Sequence, residues 1–264
     1  MSDDDDDDKS SRGLSYLGAL GWTFALSGLT ELVALVGSAL RPGGGIDTGT
    51  IAFAITAATL GVVLGMARVH APDDPLSDLF GAKPTAPILL VLSLICGVSI
   101  VFAVSEIDAT IADKLPLDEE TRAFFATDTL SQKVRLSALA VAVAVSQEVF
   151  FRGALFGLLE RDKPRSMVVF VTTVLAVFPP SSHQLVSGFL LAAIAGHLRG
   201  LSRSLWPALG LRLGFAGVLV WATLTGHEDL KVPRLTQGLA ALAAVVCLAV
   251  FVVVSRGITR SRLR

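Results

Sequence analysis

The chain has 264 residues, of which 52% are hydrophobic and 17% are charged, and its formal net charge at pH 7 is −1. A soluble domain of this length would carry about a quarter charged residues, so the composition excludes an ordinary soluble domain. The balanced charge gives no sign of nucleic-acid binding. Together with its long apolar runs, the composition predicts an all-α, polytopic membrane helical bundle.

Apolar runs follow one another along the chain and predict eight transmembrane helices. The predicted spans are Leu14–Leu40, Ile51–Val69, Ile88–Val104, Leu136–Leu159, Met167–Phe178, Gln184–Leu198, Leu205–Thr223 and Leu239–Val254. The fifth and sixth are short for a bilayer span, and Pro179 and Pro180 separate them. We therefore expect this region to be bent or re-entrant, buried in protein or lining a cavity.

The order of these segments predicts four parts. Residues 1–12 form an acidic tail with six consecutive aspartates, which we expect to be disordered. Residues 13–134 hold the N-terminal transmembrane helices and their loops. Residues 135–224 form a core that carries the polar residues of interest. Residues 225–264 hold the last transmembrane helix and a basic C-terminal tail.

The basic residues of the loops predict the orientation. Thirteen lie on the side that holds both termini and seven on the other, while Arg152 and Arg212 lie inside predicted spans. The positive-inside rule therefore places both termini in the cytoplasm. The frequent use of alanine, valine and arginine indicates a GC-rich bacterial genome, and hence a bacterial inner membrane.

Three polar residues, Gln147, Glu148 and Arg152, interrupt the apolar run Leu136–Leu159. Charged groups at bilayer depth are costly, so each needs a partner or a function. Glu148 and Arg152 are four residues apart and would share one face of a helix. Two interpretations remain open, namely a structural ion pair that locks helices together and a functional site.

Further polar residues lie in other predicted spans. His183, next to the proline break, can transfer a proton, bind a metal or cap a broken helix end. Arg212 in the seventh span is a second buried cation whose candidate partners are Glu31 and Glu148. Glu31 in the first span is interpreted as the partner of one of the two buried arginines.

Common catalytic and metal-binding motifs are absent from the sequence. It contains neither the His-Glu-x-x-His of zinc peptidases nor the Gly-x-Ser-x-Gly of serine hydrolases. Cys96 and Cys247 each lie within an apolar run and are interpreted as thiols that face lipid or core. We expect no cofactor, and ligand spacing gives no support for a metal.

The segment Ser-Gln-Glu-Val-Phe-Phe-Arg-Gly-Ala-Leu-Phe, residues 146–156, resembles the Glu-Glu-x-x-x-Arg motif of the CPBP family. These are the CAAX-processing and bacteriocin-processing intramembrane proteases, also called the Abi family. Its Phe-x-x-x-His motif corresponds to Phe178 and His183, which are one residue further apart. Its His-x-x-x-Asn motif corresponds to Arg212 and Ala216. The resemblance implies a CAAX-protease-like helical core.

The sequence departs from the family pattern at positions to which the resemblance assigns chemistry. Gln147 replaces the glutamate that activates the catalytic water, and a neutral amide cannot take a proton from water. Glu148 and Arg152 are kept. Arg212 replaces the histidine of the oxyanion pair and can still donate hydrogen bonds, whereas Ala216 replaces the asparagine and cannot.

Three functions are consistent with these residues. The first is a catalytically impaired homologue, a pseudoenzyme that binds transmembrane or prenylated peptide segments in the lipid membrane. The second is an active intramembrane endopeptidase that uses Glu148 and His183, with Glu148 weakened as a base by its pairing with Arg152. The third is a transporter, because buried ionisable residues and broken helices also form midplane binding sites.

Overall fold

The computed structural model describes residues 13–39, 48–115, 129–177, 185–226 and 232–261. Every regular element in these ranges is a helix. The helices are α1 Tyr16–Ala39, α2 Thr48–His70, α3 Leu76–Leu79, α4 Pro87–Lys114, α5 Leu130–Leu159, α6 Arg165–Val177, α7 Leu185–Ser202, α8 Trp206–Thr225 and α9 Arg234–Ser261. The prediction of an all-α membrane bundle is confirmed.

The number of membrane spans differs from the prediction. Among the described residues, five helices are long and apolar enough to cross a bilayer, namely α2, α4, α5, α8 and α9. Helices α6 and α7 are apolar but shorter. The structure therefore supports five spans and does not establish the predicted eight. The predicted break at Pro179 and Pro180 falls in residues 178–184, outside the described ranges.

Several helices extend beyond the apolar runs that predicted them. Helix α4 continues past Val104 to Lys114. Helix α5 begins at Leu130 because a capping box precedes it, in which the hydroxyl of Thr129 accepts from the backbone N–H of Gln132 at 3.3 Å. The side chain of Gln132 in turn accepts from the backbone N–H of Thr129 at 2.9 Å. Backbone hydrogen bonding thus extends these helices into polar sequence.

The bundle contains two large apolar clusters. The first joins α1, α2, α6 and the C-terminal half of α5. The second joins α4, α7, α8 and α9. Helix α5 packs against both α2 and α8, and α6 packs against α7. The contact between α5 and α8 therefore lies where the two clusters meet.

Glycines let α4 and α8 approach closely. A Cβ atom at Gly97 of α4 would overlap the carbonyl oxygen of Leu211, and one at Gly214 of α8 would overlap the carbonyl oxygen of Leu94. Small residues allow close backbone contact between membrane helices, where van der Waals packing drives association. This contact fixes the position of α8, and with it the position of Arg212.

We predict that Gly214→Ala lowers the free energy of unfolding by about 1–3 kcal/mol, because the added methyl group meets a backbone carbonyl that cannot move aside. Unfolding in detergent would measure the change. Gly217→Ala is the matched control on the same helix, since a Cβ atom there meets nothing within 4 Å. Equal effects of the two changes would contradict the close α4–α8 contact.

Candidate active site

Helix α5 changes its geometry within the motif that the sequence singled out. Residues Val149–Leu155, directly after Glu148, form a π-helical segment. Such segments are rare, and they often occur at functional sites. The carbonyl oxygen of Arg152, inside this segment, accepts a hydrogen bond from Nε of Arg199 at 3.0 Å. The expectation of a regular α-helical pairing between Glu148 and Arg152 did not anticipate this change.

Glu148 lies between two arginine side chains. Its Oε2 is 3.8 Å from Nε of Arg152, and its Oε1 is 3.6 Å from Nε of Arg212 on α8. The Glu148 side chain is only 2% exposed. Glu148 Oε2 and the two Nε atoms have no hydrogen-bond partner among the described residues. The attraction within this cluster is therefore mainly Coulombic.

The contribution of this cluster to stability is the balance between its Coulombic attractions and the cost of removing its charges from water. At these separations and an effective dielectric constant of 20, each attraction amounts to about 4 kcal/mol. Removing an ionised group from water costs several kcal/mol, and three such groups are involved here. The assembled cluster is therefore close to neutral for stability. Loss of Glu148 alone is different, because it leaves two cations facing each other without their shared carboxylate.

Arg152 of α5 binds a carbonyl group of α7 to which a side chain of α6 also donates. Its side chain is 1% exposed, and its Nη2 donates to the backbone carbonyl of Ala192 on α7. The hydroxyl of Thr173 on α6 donates to the same carbonyl at 3.4 Å. The guanidinium group also lies 5.9 Å from the ring centroid of Phe151. Arg152 thus ties α5 to α7 at the level of the polar cluster.

Arg212 brings α8 to the same cluster. Its Nη2 donates a hydrogen bond to Oε1 of Gln147, and its side chain is 19% exposed. Ala216, one turn further along α8, is buried and offers only a methyl group. The structure therefore brings Gln147, Glu148, Arg152 and Arg212 together, with Gln147 held by Arg212.

Two further residues were singled out from the sequence. His183 lies outside the described residues, so its predicted roles remain predictions. Glu31 is exposed on α1, which packs against α2. Both buried arginines face Glu148 instead. The expected pairing of Glu31 with one of them is therefore wrong.

Arg199 is a buried cation that lies beyond the predicted end of the sixth span and was therefore expected in a loop. It lies in α7, is 3% exposed, and has its guanidinium carbon 5.1 Å from the ring centroid of Phe156. The sixth predicted span ends at Leu198, so the residue after it was expected in solvent. Leu201, which packs on the second apolar cluster, was the available signal that the helix continues.

Asp108 was also missed, since the third span was predicted to end before it. It lies in α4, and its carboxylate accepts hydrogen bonds from the side chain and the backbone of Ser187, near the start of α7. The first N–H groups of a helix need such acceptors. Asp108 therefore anchors the beginning of α7 to α4.

No group of three or more histidine, cysteine, aspartate or glutamate side chains suited to hold a metal ion occurs in the described ranges. His183 lies outside those ranges. The expectation of no cofactor therefore stays a prediction.

Residues 129–218 match the family model of type II CAAX prenyl endopeptidase, Rce1-like. The match begins at Thr129, the capping residue of α5, and ends within α8, so it contains the whole Glu148 cluster. No curated protein and no solved structure matches the chain. The resemblance to the CAAX-processing proteases is confirmed for this segment.

We predict that Gln147→Leu lowers the free energy of unfolding by about 1–3 kcal/mol, because it removes the oxygen that accepts from Arg212. Gln147→Glu is the matched variant, since it keeps an acceptor and adds a negative charge beside that arginine. It should be less destabilising than Gln147→Leu in the same unfolding assay. A larger loss for Gln147→Glu would show that Arg212 does not depend on this oxygen.

Proposed function

We propose that this integral membrane protein, whose residues 129–218 are Rce1-like, is a catalytically impaired CAAX-type endopeptidase homologue. It binds transmembrane or lipidated peptide segments without cutting them. The observation that carries the proposal is the position of Glu148 between the guanidinium groups of Arg152 and Arg212.

Hydrolysis requires a general base that activates water. A general base must come within about 2.6–3.2 Å of the water that it deprotonates. Both oxygens of Glu148 are directed at arginine nitrogens, and the 2% exposure of the side chain separates it from bulk water. Gln147, at the position of the family's water-activating glutamate, is a neutral amide and takes no proton. Neither residue is suited to activate water.

Hydrolysis also requires stabilisation of an oxyanion. Its stabilisation requires donors that already point at the developing charge. Nη2 of Arg212 donates to Gln147, and Ala216 has no side-chain donor. The family resemblance assigns this role to two positions. Arg212 is already engaged with Gln147, and Ala216 has no donor. This supports a loss of hydrolysis rather than a change of substrate.

The cluster also carries a net charge that a ligand can complement. Helices α5 to α8 contain the matched segment, and α5 packs against α8 while α6 packs against α7. Two guanidinium groups against one carboxylate leave an excess of one positive charge, and Arg212 is its more exposed member. A peptide that ends in a carboxylate complements this charge. A prenylated CAAX peptide whose lipid is inserted in the membrane is such a peptide. We therefore favour C-terminal peptide segments as ligands.

We further propose that the protein lies in a bacterial inner membrane with both termini in the cytoplasm. The bias of basic loop residues supports this orientation. This orientation applies to the eight-span arrangement that the sequence predicts, because an even number of spans returns the chain to the side on which it began.

The test compares the natural chain with the variant Gln147→Glu/Arg212→His/Ala216→Asn in detergent. Both are incubated with prenylated and transmembrane peptides, with mass spectrometry for cleavage and fluorescence anisotropy for binding. We expect the natural chain to bind peptide and leave it intact, and the triple variant to cut it. The control Arg212→His/Ala216→Asn restores the oxyanion pair without a base and should not cut.

Two outcomes would contradict the proposal. Cleavage by the natural chain would show an active enzyme, and loss of that cleavage in a Glu148→Ala variant that still folds would identify Glu148 as its base. Failure of the natural chain to bind any peptide of the panel would show that these segments are not its ligands.

A further inference from the structure

A basic pocket of about 700 Å³ opens at one end of the bundle, where the C-terminal ends of α7 and α9 meet the segment between α3 and α4. It is separate from the contact between Glu148 and Arg212. Four basic and two acidic side chains line it, which leaves an excess of two positive charges. These side chains are Lys83, Arg165, Arg199, Arg203, Asp78 and Glu160.

Ion pairs already occupy the acidic residues of the pocket. Asp78 lies 3.5 Å from Nζ of Lys83, and Glu160 lies 2.7 Å from Nη2 of Arg165. Within the part of the chain that the structure describes, Arg199 and Arg203 form no ion pair. The two positive charges in excess of the acidic residues therefore correspond to these two arginines, and Glu160 also attracts Arg199.

Arg199 is fixed in position by its surroundings. Its Nε donates to the carbonyl of Arg152, and its guanidinium group covers the ring of Phe156. It also packs on Gly81, which has a φ of +59°, and a Cβ atom there would overlap the guanidinium. Its terminal nitrogens have no hydrogen bond to another described residue. A rigid guanidinium with free donors is well suited to bind an anion such as phosphate.

The place of the pocket in the bundle indicates the source of that anion. The pocket lies beside the first residues of α4 and the last residues of α9, which are ends of two candidate spans. Leu89, Leu201 and Ile258 add an apolar wall next to the basic side chains. Basic pockets between spanning helices, at the level of the headgroups, bind anionic lipids. A free phosphate would make no use of the apolar wall.

We propose that this pocket binds the phosphate-bearing headgroup of an anionic membrane lipid. Arg199 and Arg203 hold the phosphate, Lys83 contributes at the exposed rim, and the apolar wall contacts the acyl chains. This site is independent of the proposed peptide-binding function, since it does not require the Glu148 cluster to be active or inactive.

The test measures lipid binding to the full-length protein in detergent by native mass spectrometry and thermal unfolding. The probes are phosphatidylglycerol, phosphatidylcholine with the same acyl chains, and inorganic phosphate. We expect phosphatidylglycerol to bind more tightly than phosphatidylcholine and to raise Tm, and inorganic phosphate to compete only weakly. Lys83→Ser/Arg203→Ser should weaken phosphatidylglycerol binding about 30-fold, because each basic residue near an anionic lipid contributes about fivefold.

The matched control is Arg68→Ser, which removes an exposed arginine outside the pocket lining. It should change phosphatidylglycerol binding by less than about twofold if the pocket, and not general surface charge, binds the lipid. The proposal is overturned if phosphatidylglycerol and phosphatidylcholine bind equally. It is also overturned if inorganic phosphate alone displaces the lipid, or if Arg68→Ser weakens binding as much as the double variant.

Discussion

Glu148 lies between Arg152 and Arg212, and the packing of α5, α7 and α8 depends on that arrangement. A cation inside a bilayer-spanning bundle needs a compensating charge or a hydrogen-bond acceptor. Arg152 meets this need through Glu148 and the carbonyl of Ala192, and Arg212 through Glu148 and Gln147. The glycine contact between α4 and α8 supports the same arrangement, because it fixes the helix that carries Arg212.

The contacts that satisfy the arginines also support the proposed loss of hydrolysis. The family pattern of two glutamates, one arginine and one neutral histidine would carry one net negative charge. With Gln147 and Arg212 in place, the site carries one net positive charge. Under the proposed function, a site of that sign attracts a carboxylate and lacks the glutamate that would remove a proton from water. A net positive charge is consistent with the proposed binding of peptide carboxylates.

Much of the fold followed from hydropathy, since each predicted apolar run coincides with a helix. Hydropathy reports transfer into a bilayer and not backbone hydrogen bonding, so it missed the polar end of α4 and placed Arg199 in a loop. Residue spacing indicated that Glu148 and Arg152 are close, but it assumed α-helical geometry and could not reveal the π-helical segment. The choice of Glu148 over Glu31 as partner of Arg212 depended on tertiary packing, which one sequence does not contain.

The most direct test is a double-mutant cycle on Glu148 and Arg152 that measures the free energy of unfolding in detergent. If Glu148 is the structural counter-ion, Glu148→Gln alone costs about 3–5 kcal/mol, and adding Arg152→Met recovers part of that loss. A Glu148→Gln variant that is as stable as the natural chain, and that the second change makes worse, would contradict the account. Glu148 would then be free for chemistry.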